Sequence, residues 1–426
     1  MSAWYERAAS CALTVRWEHP AFIASPLFSE AGLDGGGVCA YLWDTMYVSR
    51  VLPLLAERDA IRRLLVQFLR MQPHAHFAFD PLEGRGLGPC YALNAYSLAR
   101  LFRDYVAYHQ DWDVLVESVA GRPLIEQLEQ LSRSGRCSPL APLIDYGDTT
   151  HLLEMRTAGY EHIVPSPNAE RVWVLRFVAH VRDRMQLPGA PALRAEADAI
   201  ERAIHAHLWD AERGWFLCRS ADGARSEAVY SVQVLTVLGM EFLPRDVTAR
   251  IAAHVCEGEF LGSHGLHSVS LADRLHYESG DVDWGGGGCY VGQAPLLVHD
   301  LYRLGEWQRA EDLLRRILWW ADVFPYFPQS IRADRPAYCD FDRPNCIAAV
   351  AGVQAIVAGL CGLDCELDGR LVVRPSPHAS GSYALRGYSW AGHLIDVEME
   401  RGRCRISRDG RVVAEPRCGE PVFVTR

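Results

Sequence analysis

Paired helical patterning is what most constrains this chain. Apolar residues recur at helical spacing in successive segments, joined alternately by short links and by long non-periodic loops. The segments are 43–56 with 58–71, 89–109 with 112–132 (broken at Gly121), 168–185 with 191–208, 229–239 with 244–255, 292–304 with 306–320, and a last one at 345–360. In the second of these Ile61, Leu64, Leu65 and Phe68 fall on one face, and Pro73 ends the pattern. Helical pairs repeated in this way close into a double-layered (α/α)6 toroid, with short links on one face and long loops on the other. The expected fold class is therefore mainly α.

The pattern changes after Gly362. Leu371-Val-Val-Arg, Ser382-Tyr-Ala-Leu, Leu394-Ile-Asp-Val-Glu-Met, Cys404-Arg-Ile-Ser and Val422-Phe-Val-Thr alternate or run apolar between turn residues such as Asp409-Gly410. They predict a small antiparallel β region. The organisation expected is an irregular or strand-like segment at 1–37, a barrel domain at 38–362, and a β domain at 363–426 packed on the barrel.

Four polar and aromatic clusters sit in the long loops or at the helix mouths that follow them. The first is Tyr41-Leu-Trp-Asp-Thr-Met-Tyr47, directly after Gly35-Gly-Gly37, with Trp43 beside Asp44. The second runs Ile144-Asp-Tyr-Gly-Asp148 with Tyr146, Glu154, Tyr160, Glu161, His162 and then Ile163-Val-Pro-Ser-Pro-Asn168. The third is Tyr277-Glu-Ser-Gly-Asp-Val-Asp-Trp-Gly-Gly-Gly-Gly288, containing Glu278, Asp283 and Trp284, followed by Tyr290 and Gln293. The fourth is Tyr326-Phe-Pro-Gln-Ser-Ile-Arg-Ala-Asp-Arg335, with Gln329, Arg332, Tyr338, Asp340 and Asp342. An indole beside a carboxylate suits a sugar, the flat face stacking and the acid taking hydroxyls. Singly, each Asp is as simply a turn former or a helix-start residue. Glycosidic cleavage needs two carboxyls across one sugar, one protonated and one activating water or attacking carbon. Loops two and three, or two and four, can supply them across a toroid mouth.

Tyr41-Leu-Trp-Asp-Thr resembles the Tyr-x-Trp-Asp-Ser/Thr signature of the six-hairpin glycosidases, the trehalases and processing α-glucosidases. In that family a Ser-Gly-x-Asp stretch holds the general acid, and an Ile-Val-Pro-x-x-Asn helix start follows. Here Tyr146-Gly-Asp148 and Ile163-Val-Pro-Ser-Pro-Asn168 take those places, so the resemblance implies Asp148 as the acid, with the motif one residue short. Asp283-Trp284 and Gln293-Ala-Pro295 resemble the family's third loop. Where the family carries a Glu before its last barrel helix, this chain reads Gln329-Ser-Ile-Arg-Ala-Asp-Arg335. Asp334, Asp340 or Asp342, or Glu278 or Asp283 from the third loop, is left to act as base. The implied binding residues are Trp43, Asp44, Tyr146, Glu154, Glu161, His162, Trp284, Gln293, Gln329 and Arg332.

Composition narrows the alternatives. All 43 basic residues are Arg, which excludes Schiff-base, pyridoxal-phosphate and P-loop lysine chemistry. A net charge of -10 argues against nucleic acid as a partner. Thirteen cysteines without a Cys-x-x-Cys pair argue against zinc ribbons and thiol redox sites. His264-x-x-His267 and His74-x-His76 have metal-ligand spacing without a clear third ligand, so no metal and no cofactor is expected. Met1-Ser-Ala-Trp-Tyr-Glu-Arg lacks a signal peptide's apolar stretch, and no apolar run nears a membrane span, so a cytoplasmic protein is expected. The partner expected is a small sugar or glycoside, with the oligomeric state left open. Hydrolysis with inversion competes with two other readings: a non-hydrolytic isomerase, lyase or cyclase on the same toroid, and an inactive sugar-binding protein.

Overall fold

The computed structural model describes residues 1–29, 38–148, 157–322, 327–344, 347–377 and 381–425, with the side chains of 338–344 outside the description. Six inner helical segments form a closed ring. They are α2 (Leu42–Met46), α4 (Asn94–His109), α6 (Pro165–Arg184), α8 (Val232–Leu235), α10 (Gln293–Leu304) and α12 (Ala351–Gln354). A 3-10 turn, Thr236–Met240, extends α8; a 3-10 turn, Ile347–Val350, and a π-helix, Ala355–Leu360, flank α12. Each inner segment packs on the next, and the turn before α12 returns to α2. The outer layer is α1 (Ser2–Thr14), α3 (Arg58–Arg70), α5 (Leu124–Leu131), α7 (Ala190–His207), α9 (Arg245–Ala253) and α11 (Trp307–Ile317).

The first helix departs from the sequence expectation of an irregular start. Trp4, Ala8, Cys11 and Ala12 are its buried stripe, at spacings of four, seven and eight from Trp4. The stripe covers α12 and the turn after α11, with the Trp4 and Trp320 rings edge to face at 6.4 Å. The N-terminal helix thus supplies the outer partner that the last inner segment otherwise lacks.

Two expected helices are interrupted. The 43–56 segment ends at Met46 and resumes only as Leu52–Leu55, where Pro53 occupies a first-turn position that needs no N–H donor. The 112–132 segment becomes a 3-10 turn, Trp112–Val116, and α5, separated by a hairpin. Ala120 and Gly121 turn that hairpin at φ of 52° and 85°.

Asparagine is confined to three positions, and two of them do one job. Asn94, first in α4, donates from Nδ2 to the Pro73 and His76 carbonyl oxygens at 2.8 Å each. Asn168, in the first turn of α6, donates to the Ile144 and Val164 carbonyls and accepts from the Ile144 N–H at 2.9 Å. Each ties the preceding loop onto the N-terminal end of an inner helix. The site loops hang from that end of the ring.

The opposite end is closed by a buried ion cage. Arg50, Arg100, Arg103 and Arg303 surround Asp104 and Asp364, with contacts of 2.5 Å (Arg50–Asp364), 2.8 Å (Arg103–Asp104) and 3.2 Å (Arg100–Asp104). These residues come from the ends of α4 and α10, from the turn after α2, and from the first C-terminal strand. The guanidinium groups hold both carboxyls far below the usual carboxylate range, against the opposing effect of burial.

Three strands line the loop-bearing end: β1 (Gly288–Tyr290), β2 (Pro328–Arg332) and β3 (Tyr338–Pro344), antiparallel in the order β1-β2-β3. After α12 come β4 (Leu363–Cys365), β5 (Leu371–Val373), β6 (Ser382–Trp390), β7 (His393–Glu400), β8 (Arg403–Arg408), β9 (Arg411–Ala414) and β10 (Val422–Val424). They form an antiparallel β4-β5-β10 sheet and an antiparallel β6-β7-β8-β9 sheet.

Candidate active site

Three rings from distant parts of the chain meet at the mouth. Trp43 of α2 stacks on Tyr290 of β1 at 5.1 Å and on Trp284 at 5.7 Å, and Trp284 lies 6.0 Å from Tyr290. Their faces are used on one another, and exposures of 5%, 1% and 2% for Trp43, Trp284 and Tyr290 leave little open ring surface. The trio is therefore a packed base at the mouth, with Trp43 the least covered of the three. Asp44 is buried beside it and accepts a hydrogen bond from the Tyr290 hydroxyl.

Asp283 of the third loop is held through both of its carboxyl oxygens. Ser330 Oγ donates to its Oδ1 at 2.8 Å and Gln329 Nε2 to its Oδ2 at 3.2 Å. Both donors come from β2, which pairs with β1, so the fourth loop fixes a side chain of the third. Glu278 and Asp283 share that loop but not its environment: Glu278 is exposed, and its backbone N–H reaches the Gly285 carbonyl at 2.8 Å.

The second loop runs as two hydrogen-bonded segments. Tyr146 N–H donates to His162 O at 2.9 Å and His162 N–H to Gly147 O at 2.7 Å. Asp145 is buried and accepts from the Gly147 N–H at 2.8 Å and faces His162 Nδ1 at 3.2 Å. Gly147 adopts φ of 84°, a turn conformation that side chains resist, and it delivers Asp148 to an exposed position. Thr157 Oγ1 donates to the Trp284 carbonyl at 2.6 Å, which joins this loop to the aromatic trio.

The structure thus brings Trp43, Asp44, Asp283, Trp284 and Gln329 into one hydrogen-bonded and stacked assembly, with the second loop tied to it. Gln293 is buried as the first residue of α10. Tyr146 is buried and donates to Pro167 O at 3.2 Å, so its hydroxyl serves the loop. Glu161 is exposed and His162 half-buried. Arg332 pairs with Asp334 at 2.8 Å. Glu154 lies outside the described residues; Asp340 sits in β3 with its side chain outside them. The histidines of metal-like spacing have other partners: His267 Nδ1 meets Gly286 O at 2.7 Å and His76 Nδ1 meets Gly88 O at 2.8 Å. Sequence reasoning passes over Asp145 and Ser330. The first is legible as an Asx-turn residue two before a glycine; the second carries no signal, because its role exists only once β1 and β2 pair.

No protein-family model and no curated protein sequence matches the chain. Solved structures do. A sialidase superposes with a TM-score of 0.73 at 14% identity, over 98% of this chain and 40% of that one. A GH63 mannosylglycerate hydrolase from Thermus thermophilus, in complex with glucose, gives 0.61 at 11% identity, over 83% of this chain and 99% of that one. Neutral trehalase from Saccharomyces cerevisiae gives 0.61 at 10% identity, over 82% and 79%. The likeness is one of fold: this chain is a six-hairpin (α/α)6 toroid.

Proposed function

We propose that the protein hydrolyses a glycosidic bond in a small saccharide or glycoside, with inversion. The observation that carries this reading is the convergence of Asp44 and Asp283, from opposite parts of the chain, on one aromatic trio to which the Asp148-bearing loop is tied. The fold neighbours named as hydrolases and a trehalase support it. Asp148, exposed and able to meet a leaving oxygen, is the general acid. Asp283, oriented by Ser330 and Gln329, is the base that activates water. Asp44, in the first turn of α2 beside the trio, is the residue assigned to hold sugar hydroxyls. For inversion the acid and base stand roughly 6.5–9.5 Å apart around the bound sugar and water.

Among the described residues no two cysteines are joined in a disulfide, which supports a reducing, cytoplasmic setting. Among the same residues no helix is long and apolar enough to cross a membrane. The net charge of -10 favours a neutral glycoside over a polyanion or nucleic acid. The domain division proposed is a barrel at 38–362 and a β unit at 363–426, with α1 completing the barrel.

A panel of nitrophenyl glycosides and disaccharides tests the reading. Sugar release by pure protein supports it. Turnover of a sugar without release of its aglycone points instead to isomerase or lyase chemistry, and binding without turnover to a sugar-binding protein.

A further inference from the structure

A cavity of about 190 Å³ lies between α4 and α6, beside the mouth but lined by none of Trp43, Asp44, Asp283, Trp284 or Tyr290. Glu170 of α6 lines it, 3% exposed. Its Oε2 is buried and meets no hydrogen-bond donor. An unsatisfied buried carboxyl oxygen is costly and rare in a folded chain, so it marks a place where a partner belongs.

Most bonds of the neighbouring polar groups run elsewhere. The Tyr96 hydroxyl accepts from Arg100 at 2.8 Å, and that of Tyr146 donates to Pro167 O. Ser132 Oγ donates to Glu129 O at 2.8 Å. Arg171 sends Nη1 to Pro142 O and Nη2 to Glu196, both at 2.7 Å, so its charge is met away from Glu170. Cys90 donates to Pro73 O, and His74 stands exposed on the rim. What remains for an occupant is aromatic and aliphatic wall, the Glu170 carboxyl and the buried Nε of Arg171, which also meets no partner.

A sugar needs several directed hydrogen bonds, more than Glu170 and the Arg171 Nε offer. A single ammonium on a hydrocarbon body needs one carboxylate and ring surface, which it does offer. We propose that this cavity binds a small protonated primary amine, its ammonium donating to Glu170 and its hydrocarbon part packed among Tyr91, Tyr96 and Tyr146. The proposal is independent of the hydrolase reading, because none of the mouth carboxylates lines the cavity.

Burial pushes the Glu170 carboxyl up to about 8, so at neutral pH the empty site holds it as the acid. Binding then proceeds as carboxylic acid plus ammonium giving carboxylate–ammonium pair plus one proton released to buffer. Affinity rises about tenfold per pH unit below pH 8 and levels off above it.

Calorimetric titration of the full chain with butylamine and with benzylamine, in buffers of different ionisation enthalpy, tests this. Butanol and glucose serve as neutral controls. The expected result is one amine bound per chain at this site with release of about one proton near pH 7, and binding of the neutral controls weaker by tenfold or more, about the worth of one charge-assisted hydrogen bond. Glu170→Gln, an uncharged isostere, and Ala95→Leu, which fills the cavity without touching the carboxyl, should each remove this binding. Amine binding that survives both substitutions belongs to the mouth carboxylates and overturns the assignment, as does glucose binding that either substitution removes, or no amine binding by the native chain.

Discussion

Ser330 donates its hydroxyl hydrogen to Asp283 at 2.8 Å, across a pair of strands that joins the third and fourth site loops. A carboxylate held in this way is aimed by a neighbour that itself does no chemistry. Ser330→Ala should therefore loosen the aim of Asp283 and lower kcat with little change in KM. The loss in kcat is expected at about tenfold, the worth of one hydrogen bond to a charged group. Steady-state rates of the variant check this; an unchanged kcat removes Asp283 from the role of base.

Closure of the ring by α1 sets a second expectation. Trp4 is 1% exposed and packs edge to face on Trp320. Trp4→Ala should cost about 3–5 kcal/mol, read from denaturant unfolding, through the cavity it leaves. A cost below about 1 kcal/mol, in the range of a surface substitution, contradicts α1 as part of the ring.

The ion cage at the other end gives a third. Asp364 meets Arg50 at 2.5 Å and Arg303 at 3.4 Å in a buried setting. Asp364→Asn leaves buried guanidinium charge uncompensated and should cost about 3–5 kcal/mol. Because the folded-state pKa of Asp364 is depressed, its contribution is fully present above the ordinary aspartate range and is lost as pH falls below it. The native chain should lose stability in acid more steeply than the variant does.

Glu170 has the opposite sign. Its pKa is raised from the ordinary 4.5 to about 8, so the folded chain holds a proton that the unfolded chain has released. Stability from this group is greatest below pH 4.5 and falls as pH rises to about 8, by up to about 1.4 kcal/mol per pH unit. Melting curves between pH 6 and 9 should show Glu170→Gln losing less stability than the native chain. Parallel curves would falsify the raised pKa.

Much of this is legible in the sequence, and the reasons are local. The ring is readable because 3.6-residue periodicity survives in outer helices such as α3, with Ile61, Leu64, Leu65 and Phe68, and α11, with Ala310, Leu313, Leu314 and Ile317. The meeting of Trp43 with Trp284 is readable because aromatic and acidic residues fall together at helix mouths. The first helix escapes a sequence reading because Ala8, Cys11 and Ala12 are small and make a weak apolar signal, although their spacing is helical. The division of 43–56 is marked only by Pro53, which the apolar pattern around it outweighs. Asp283 as the held carboxylate, and Glu170 as the unheld one, depend on which residues lie across from them. Ser330 stands 47 positions from Asp283, and no spacing rule reaches that far.

The central claim is that Asp148 and Asp283 act as acid and base across one mouth, and leaving-group dependence tests it most directly. Initial rates of the native chain, Asp148→Asn and Asp283→Asn are compared on a glycoside with a poor leaving group and on the matching glycosyl fluoride, which needs little protonation. The account predicts that Asp148→Asn loses about 10²–10⁴-fold on the first and far less on the fluoride, while Asp283→Asn loses heavily on both. Native rates in Asp148→Asn on the poor leaving group contradict it.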